Sequence, residues 1–176
     1  MTFSVRRGEP ADAEEVLRVK NTSWQAAYRG LLPDAYLDAL VVTPGAVAHW
    51  RAMMADPLRG VVVGEAGEEI VGLSAFGPVE DPVWDGGPDC EIYAIYALRE
   101  HWSTGLGRAL MTRSLDRLRE LGHREVGLWA FEANARARRF YERIGFALSG
   151  RVQTMDVSGA SFPEVHYRMA LAADSA

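Results

Sequence analysis

Cysteine occurs once, at Cys90, so no disulfide can close within the chain. The histidines His49, His101, His123 and His166 are scattered without a metal-ligand spacing, and no metal is expected. No stretch approaches the roughly 20 apolar residues that cross a bilayer, and residues 1–7 lack the apolar block of a signal peptide. A cytoplasmic protein without a membrane partner is the expectation. Basic excess is missing too: 19 Lys and Arg stand against 24 Asp and Glu, a formal net charge of -5. That balance argues against a nucleic-acid partner, whose phosphates demand a basic face. One local exception, Arg136, Arg138, Arg139 and Arg143, reads either as a solvated helix face or as a phosphate contact. Repeats and low-complexity segments are absent.

What is present is 176 residues, 48% of them hydrophobic, the size of one domain with one core over about residues 3–171. A β-prone start at 3–6 precedes a helical stretch opening at 9–12, in which Ala13, Val16, Leu17, Trp24, Ala27 and Tyr28 recur at helical spacing. Gly30 and Pro33 break it, 34–40 predicts a short helix, and Thr43-Pro44 supplies an N-cap and a first-turn proline for a helix through Met54. The period then becomes that of strands, with a hairpin at 61–66 and 70–76. A Pro, Gly and Asp-rich loop at 78–89 leads to 90–97, apolar and aromatic on both faces and hence a central strand. Helix 106–121, strand 126–130, helix 134–144 and strands 146–157 and 165–171 follow, and 172–176 is expected to fray. The order predicts an α/β fold with a mixed sheet covered by helices, its ligand crevice where antiparallel hairpins give way to a βαβ crossover at 91–97.

That crossover runs Ile95-Tyr96-Ala97-Leu98-Arg99-Glu100-His101-Trp102-Ser103-Thr104-Gly105-Leu106-Gly107-Arg108. A strand, a loop with two glycines and a helix start leave several amides unpaired and partly positive, suited to a diphosphate. Gly105 and Gly107 remove Cβ atoms that would hold phosphate off the backbone, and Arg108 adds charge. A tight turn without a ligand would use the same glycines. There is no Gly-Lys-Ser/Thr of a P-loop and no third glycine of a dinucleotide fold.

The block resembles the central motif of the GNAT superfamily of acetyltransferases, Gln/Arg-x-x-Gly-x-Gly/Ala, at 102–107. Trp102 stands where that family usually has Gln or Arg, and Ser103 where many members have Gly. A second match lies at 134–146, similar at every fixed position to the family's Asn-x-x-Ala-x-x-x-Tyr-x-x-x-Gly-Phe helix. Asn134 and Tyr141 lie about two turns apart, on one helix face; read alone, one is a cap and the other a core aromatic.

The resemblance implies a single-domain GNAT fold that carries an acetyl group from acetyl-CoA to a primary amine, without metal. It implies that Ser103, Thr104, Gly105, Leu106, Gly107 and Arg108 bind the diphosphate and that Ile95, Tyr96 and Ala97 pair with the pantetheine arm. It also implies that Asn134 meets that arm and that Tyr141 protonates the departing thiolate. Homodimers are frequent in the family. An alkyl amine has a pKa near ~10.4 and must lose a proton before attack. Glu91 is the candidate base, by likeness to a glutamate in one protein-acetylating branch, with Asp89, Tyr93 and His166 in reserve; a solvated strand-start charge is the plain reading of Glu91. A free strand amide, that of Tyr96, is expected to stabilise the tetrahedral oxyanion. Cys90 reads as a small buried side chain. Trp24, Tyr28, Tyr93, Trp84 and Trp129 are candidates for an aromatic acceptor pocket, or for core packing. A domain that binds acyl-CoA without turnover would carry the same cradle; Tyr141, whose family role is chemical, favours the enzyme.

Overall fold

The computed structural model describes residues 2–80 and 86–171. Strand β1 (Ser4–Arg7) leads through a 3-10 turn (Pro10–Asp12) into α1 (Ala13–Ala27), α2 (Asp34–Asp38) and α3 (Pro44–Ala55). Then come β2 (Gly60–Ala66), β3 (Glu69–Pro78), β4 (Cys90–Ala97), α4 (Leu106–Glu120), β5 (Glu125–Phe131), α5 (Ala135–Ile144), β6 (Ala147–Val157) and β7 (Ala160–Ala170). The predicted order of elements holds; the ends move by one or two residues except at β7, which begins five residues early. There Ser158 and Gly159 both have positive φ, 53° and 82°, the geometry of a two-residue hairpin turn that lets pairing resume at once. Pro163 lies within β7. It is tolerated because its register partner on the other side would lie past the end of β5, where its carbonyl oxygen takes the Glu132 amide. The expected fray at 172–176 falls outside the described residues.

Among the described residues the strands form one sheet in the order β1-β2-β3-β4-β5-β7-β6. All neighbours are antiparallel except β4 and β5, and that pair is joined only at Cys90↔Val126 and Glu91↔Gly127. Beyond Glu91 the two strands diverge, and the sheet opens as a V. Helix α1 covers the face to which Tyr96 and Phe131 point, where Trp24 lies 6.3 and 6.4 Å from their rings. Helix α4 covers the other, with Ser114 Oγ donating to Ser74 Oγ at 2.9 Å inside the interface. Helix α5 lies beside α4, Tyr141 packing on Tyr167 of β7 with ring centroids 6.0 Å apart.

The core divides accordingly. A main cluster, with Leu73, Leu110, Met111, Leu118, Leu128 and Tyr167 at its centre, binds the helices to the sheet. A smaller one, Trp24, Tyr28, Leu32, Leu37, Phe131 and Val157, closes the α1 side of the V. Burial of each such aliphatic side chain contributes about 1.5–3 kcal/mol. No helix of the described residues is long and apolar enough to cross a membrane.

Candidate active site

The opening of the V is a cleft of about 1280 Å³ that runs through the sheet, from the start of α4 and α5 on one side to α1 on the other. Its first wall is the free edge of β4. The Leu98 amide donates to the Val71 carbonyl oxygen, so by the alternation along a strand the Tyr96 and Ala94 amides also point to β3. The amides facing the gap are those of Ile95 and Ala97. The expected use of the Tyr96 amide is thereby corrected: its donor is spent within the sheet. Register also slips between Ala75 and Phe76, leaving Tyr93 as an extra residue opposite β3. This bulge turns the strand at the point where it leaves β5.

At the loop end, Ser103 and Gly105 adopt positive φ, 62° and 97°, and Gly105 is the N-cap of α4, with Thr104 Oγ1 accepting the Leu106 amide at 3.5 Å. Thr104 Oγ1 donates to the His101 carbonyl oxygen at 2.8 Å. Among the described residues the Gly107 and Arg108 amides meet no backbone acceptor, whereas Ala109 bonds Gly105. Two donors and the positive end of a 15-residue helix thus face the cleft. Gly107 has a second use, since a Cβ there would stand 3.4 Å from Phe140 of α5. The start of α4 meets the middle of α5 at that close approach.

Asn134 caps α5, its Oδ1 accepting from the Ala137 amide at 3.1 Å, and it lines the cleft as well. Tyr141, two turns on, is 8% exposed and also lines the cleft. Its hydroxyl makes no hydrogen bond among the described residues, and burial holds its pKa well above the ordinary phenol value. Tyr28 and Tyr96, raised likewise by burial, stand within its electrostatic reach, and Tyr28 has hydrogen-bonding interactions with Tyr96 and Asn134. Three protonated phenols meet at the centre of the V.

Glu91 sits at the fork itself, the last β4 residue paired with β5, half-buried and lining the cleft. Its neighbours in register are both glycines, Gly77 on β3 and Gly127 on β5. A Cβ at Gly127 would lie 2.6 Å from His166 Nε2 and 2.7 Å from Pro88 Cγ, so the absent side chain leaves room for the imidazole beside the fork. His166 is 1% exposed, its Nδ1 is 2.9 Å from Ser149 Oγ, and burial, helped by Arg168 and Arg151, lowers its pKa to about 4 from 6.5. It is neutral at pH 7. The unfolded chain takes up this proton near pH 6.5 and the folded chain only near pH 4. Stability is therefore complete above about 6.5 and falls as pH drops through that window. Urea titrations at about pH 7 and about pH 4.5 measure the loss, and His166→Gln is expected to reduce it.

The other expected residues separate. Asp89 accepts the Arg124 and Glu125 amides at 3.0 and 3.2 Å, which holds its carboxylate at the start of β5 rather than in the cleft. Tyr93 lines the cleft, but its hydroxyl donates to the Pro78 carbonyl oxygen and its ring packs 5.5 Å from the Arg59 guanidinium. Cys90 is fully buried, its thiol donating to the Glu125 carbonyl oxygen and pushed far up by burial. With Asp89 and His123 it places three ligand-type atoms within 4.8 Å, a grouping that the scattered sequence positions did not suggest. Trp84 lies outside the described residues. Trp24 and Tyr28 line the cleft and also pack in the smaller core, 4.9 Å apart edge-on, so core and wall are one and the same for them. Trp129 lines it too, packed 4.8 Å from His166. Phe131, Met155 and Glu164 complete this wall and were missed. Phe131 was readable as the end of a buried strand, whereas Glu164 fell outside a strand begun at Val165.

Residues 21–146 match the model of the Acetyltransferase (GNAT) family. The chain belongs to that family. Over 132 residues, 74% of this chain and 73% of the relative, it is 30% identical to the uncharacterized N-acetyltransferase YuaI of Bacillus subtilis. A probable N-acetyltransferase of Mycobacterium tuberculosis is 28% identical over 169 residues, 94% of this chain and 92% of the relative. The fold is shared with a solved structure, the putative acetyltransferase yncA of Salmonella typhimurium with its cofactor acetyl-CoA. Its TM-score is 0.74 at 20% identity, with 100% of this chain and 98% of that one covered. This GNAT chain is an N-acetyltransferase, an acyltransferase, and neither relative is named for an acceptor.

Proposed function

We propose that this GNAT chain transfers acetyl from acetyl-CoA to a primary amine in one direct attack, with the donor threaded through the V from α4 and the acceptor entering from α1. The observation that carries the reading is the parting of β4 from β5 after Glu91, beside the start of α4, where the Gly107 and Arg108 amides meet no backbone acceptor. The diphosphate binds over residues 103–108, and the pantetheine amides pair with the Ile95 and Ala97 amides as an added strand would. Asn134 borders that arm. The thioester then lies among Tyr141, Tyr28 and Tyr96.

Chemistry follows from where the protons sit. Glu91 takes a proton from the acceptor ammonium, whose nitrogen lone pair attacks the thioester carbonyl carbon. A C–N bond forms, the carbonyl oxygen becomes an oxyanion facing the β4 edge, and the intermediate collapses with loss of the C–S bond. Tyr141, held protonated by burial, gives its proton to the leaving thiolate and is reprotonated by the second proton that the acylated nitrogen loses as it becomes the amide. His166, neutral and bound to Ser149, and Asp89, engaged by two amides, are left as supports of the fork. Trp24, Tyr28, Phe131 and Trp129 wall the acceptor's entry.

Purified protein given acetyl-CoA and an amine panel is expected to release free CoA, read with a thiol reagent. Gly107→Trp inserts a ring between the α4 start and Phe140 and is expected to weaken CoA binding by about a hundredfold or more, which calorimetry measures. Unchanged affinity would put the cradle elsewhere. CoA binding without turnover on any amine would instead favour a domain that only binds acyl-CoA.

A further inference from the structure

Trp102 occupies the first position of the loop motif, where the family usually carries Gln or Arg, and its surroundings explain the exchange. Its indole Nε1 donates to the Ala97 carbonyl oxygen at 2.8 Å, which fixes the ring against the end of β4. The guanidinium of Arg136, from the first turn of α5, lies 3.9 Å from the centre of that ring, and that of Arg99 lies 5.9 Å away. Both line the cleft.

A cation in the first turn of a helix opposes the helix dipole, so Arg136 does not serve the stability of α5. No acidic residue stands in that turn, and among the described residues Arg136 makes no ion pair. Partial burial alone shifts its pKa, downward. Its neighbour Arg138, by contrast, is engaged by Tyr167 and the Glu132 carbonyl oxygen. A stacked guanidinium keeps its in-plane N–H groups available, and a planar fork of donors suits phosphate oxygens. The amides of Gly107 and Arg108 open into the same cleft.

We infer that Trp102 is a positioning residue that holds the Arg136 guanidinium over its ring so that α5 supplies a phosphate-binding cation to the cleft. The ligand group is a phosphate ester of the acyl carrier, from either its diphosphate or its ribose 3′-phosphate. This deepens the acetyl-CoA reading above and rests on it. It also gives the basic run of α5 its division of labour: Arg138 ties the helix to β7, while Arg136 faces the cofactor.

Calorimetric titration of the full chain with CoA, dephospho-CoA and phosphate-free pantetheine tests it. Arg136→Ala is expected to raise the Kd for CoA by about tenfold and to leave pantetheine binding unchanged. If dephospho-CoA shows the same loss, the contact is to the diphosphate; if it shows none, the contact is to the 3′-phosphate. Trp102→Gln is expected to weaken CoA binding severalfold alone and to add nothing to Arg136→Ala, because both changes remove one contact. Trp102→Phe, which keeps a ring for stacking, guards against a fold defect and is expected to retain most of the affinity. Equal CoA affinity of wild type and Arg136→Ala, or an equal loss for pantetheine, overturns the inference. A wild type that binds no CoA at all overturns the acetyl-CoA reading itself.

Discussion

Tyr141→Phe is expected to lower kcat by about 10²–10³-fold with the KM for acetyl-CoA within about twofold, the range of a lost general acid. The substitution removes one oxygen that makes no hydrogen bond within the described protein and keeps a ring packed on Phe140, Phe146 and Tyr167. Thermal stability should therefore stay close to wild type, which separates a chemical role from a packing one. Because burial raises this phenol, it remains a proton donor across the neutral range, and the wild-type rate should show no decline from its ionisation below about pH 10. A variant with full kcat would transfer the role to Tyr28 or Tyr96, the other protonated phenols at the centre of the V.

Glu91→Gln is expected to reduce kcat/KM for the amine by about 10²–10⁴-fold at neutral pH. The pH profile gives this prediction its edge. An alkyl amine loses its own proton near pH ~10.4, so the deficit should shrink steadily as pH rises toward that value. A carboxylate that merely held the strand fork would produce a deficit independent of pH. Initial rates of CoA release, followed from about pH 7 to about pH 10 for both proteins, distinguish the two.

The fold was legible where residue pattern and turn chemistry agreed. The run 90–97, apolar on both faces, could only be an interior strand, and it spans β4 to the residue. Asn134 and Gly145 bracketed α5, one accepting an amide at its start and the other taking φ of 117° at its end. The site was legible through its two motifs, because glycines and a helix start are local features that a sequence exposes. What stayed hidden depends on register. That the Tyr96 amide points into the sheet follows from the pairing of Leu98 with Val71, which no local pattern records. The company of Glu91 is equally non-local: Gly77 and Gly127 are its neighbours only because three strands align at the fork. The stack of Arg136 on Trp102 joins residues 34 positions apart by numbering and would need the convergence of α4 and α5 to be foreseen.

A sheet that splits down its middle carries two raw interior borders, and raw borders invite strands of other molecules and thus aggregation. Here each is recessed. The Ala97 oxygen is occupied by an indole, and aromatic walls stand at the far mouth. A flat, side-chain-laden peptide could not slide into such a slot, whereas a slender linear amide could. Selectivity for a thin guest and protection against self-association would then arise from the same narrowness.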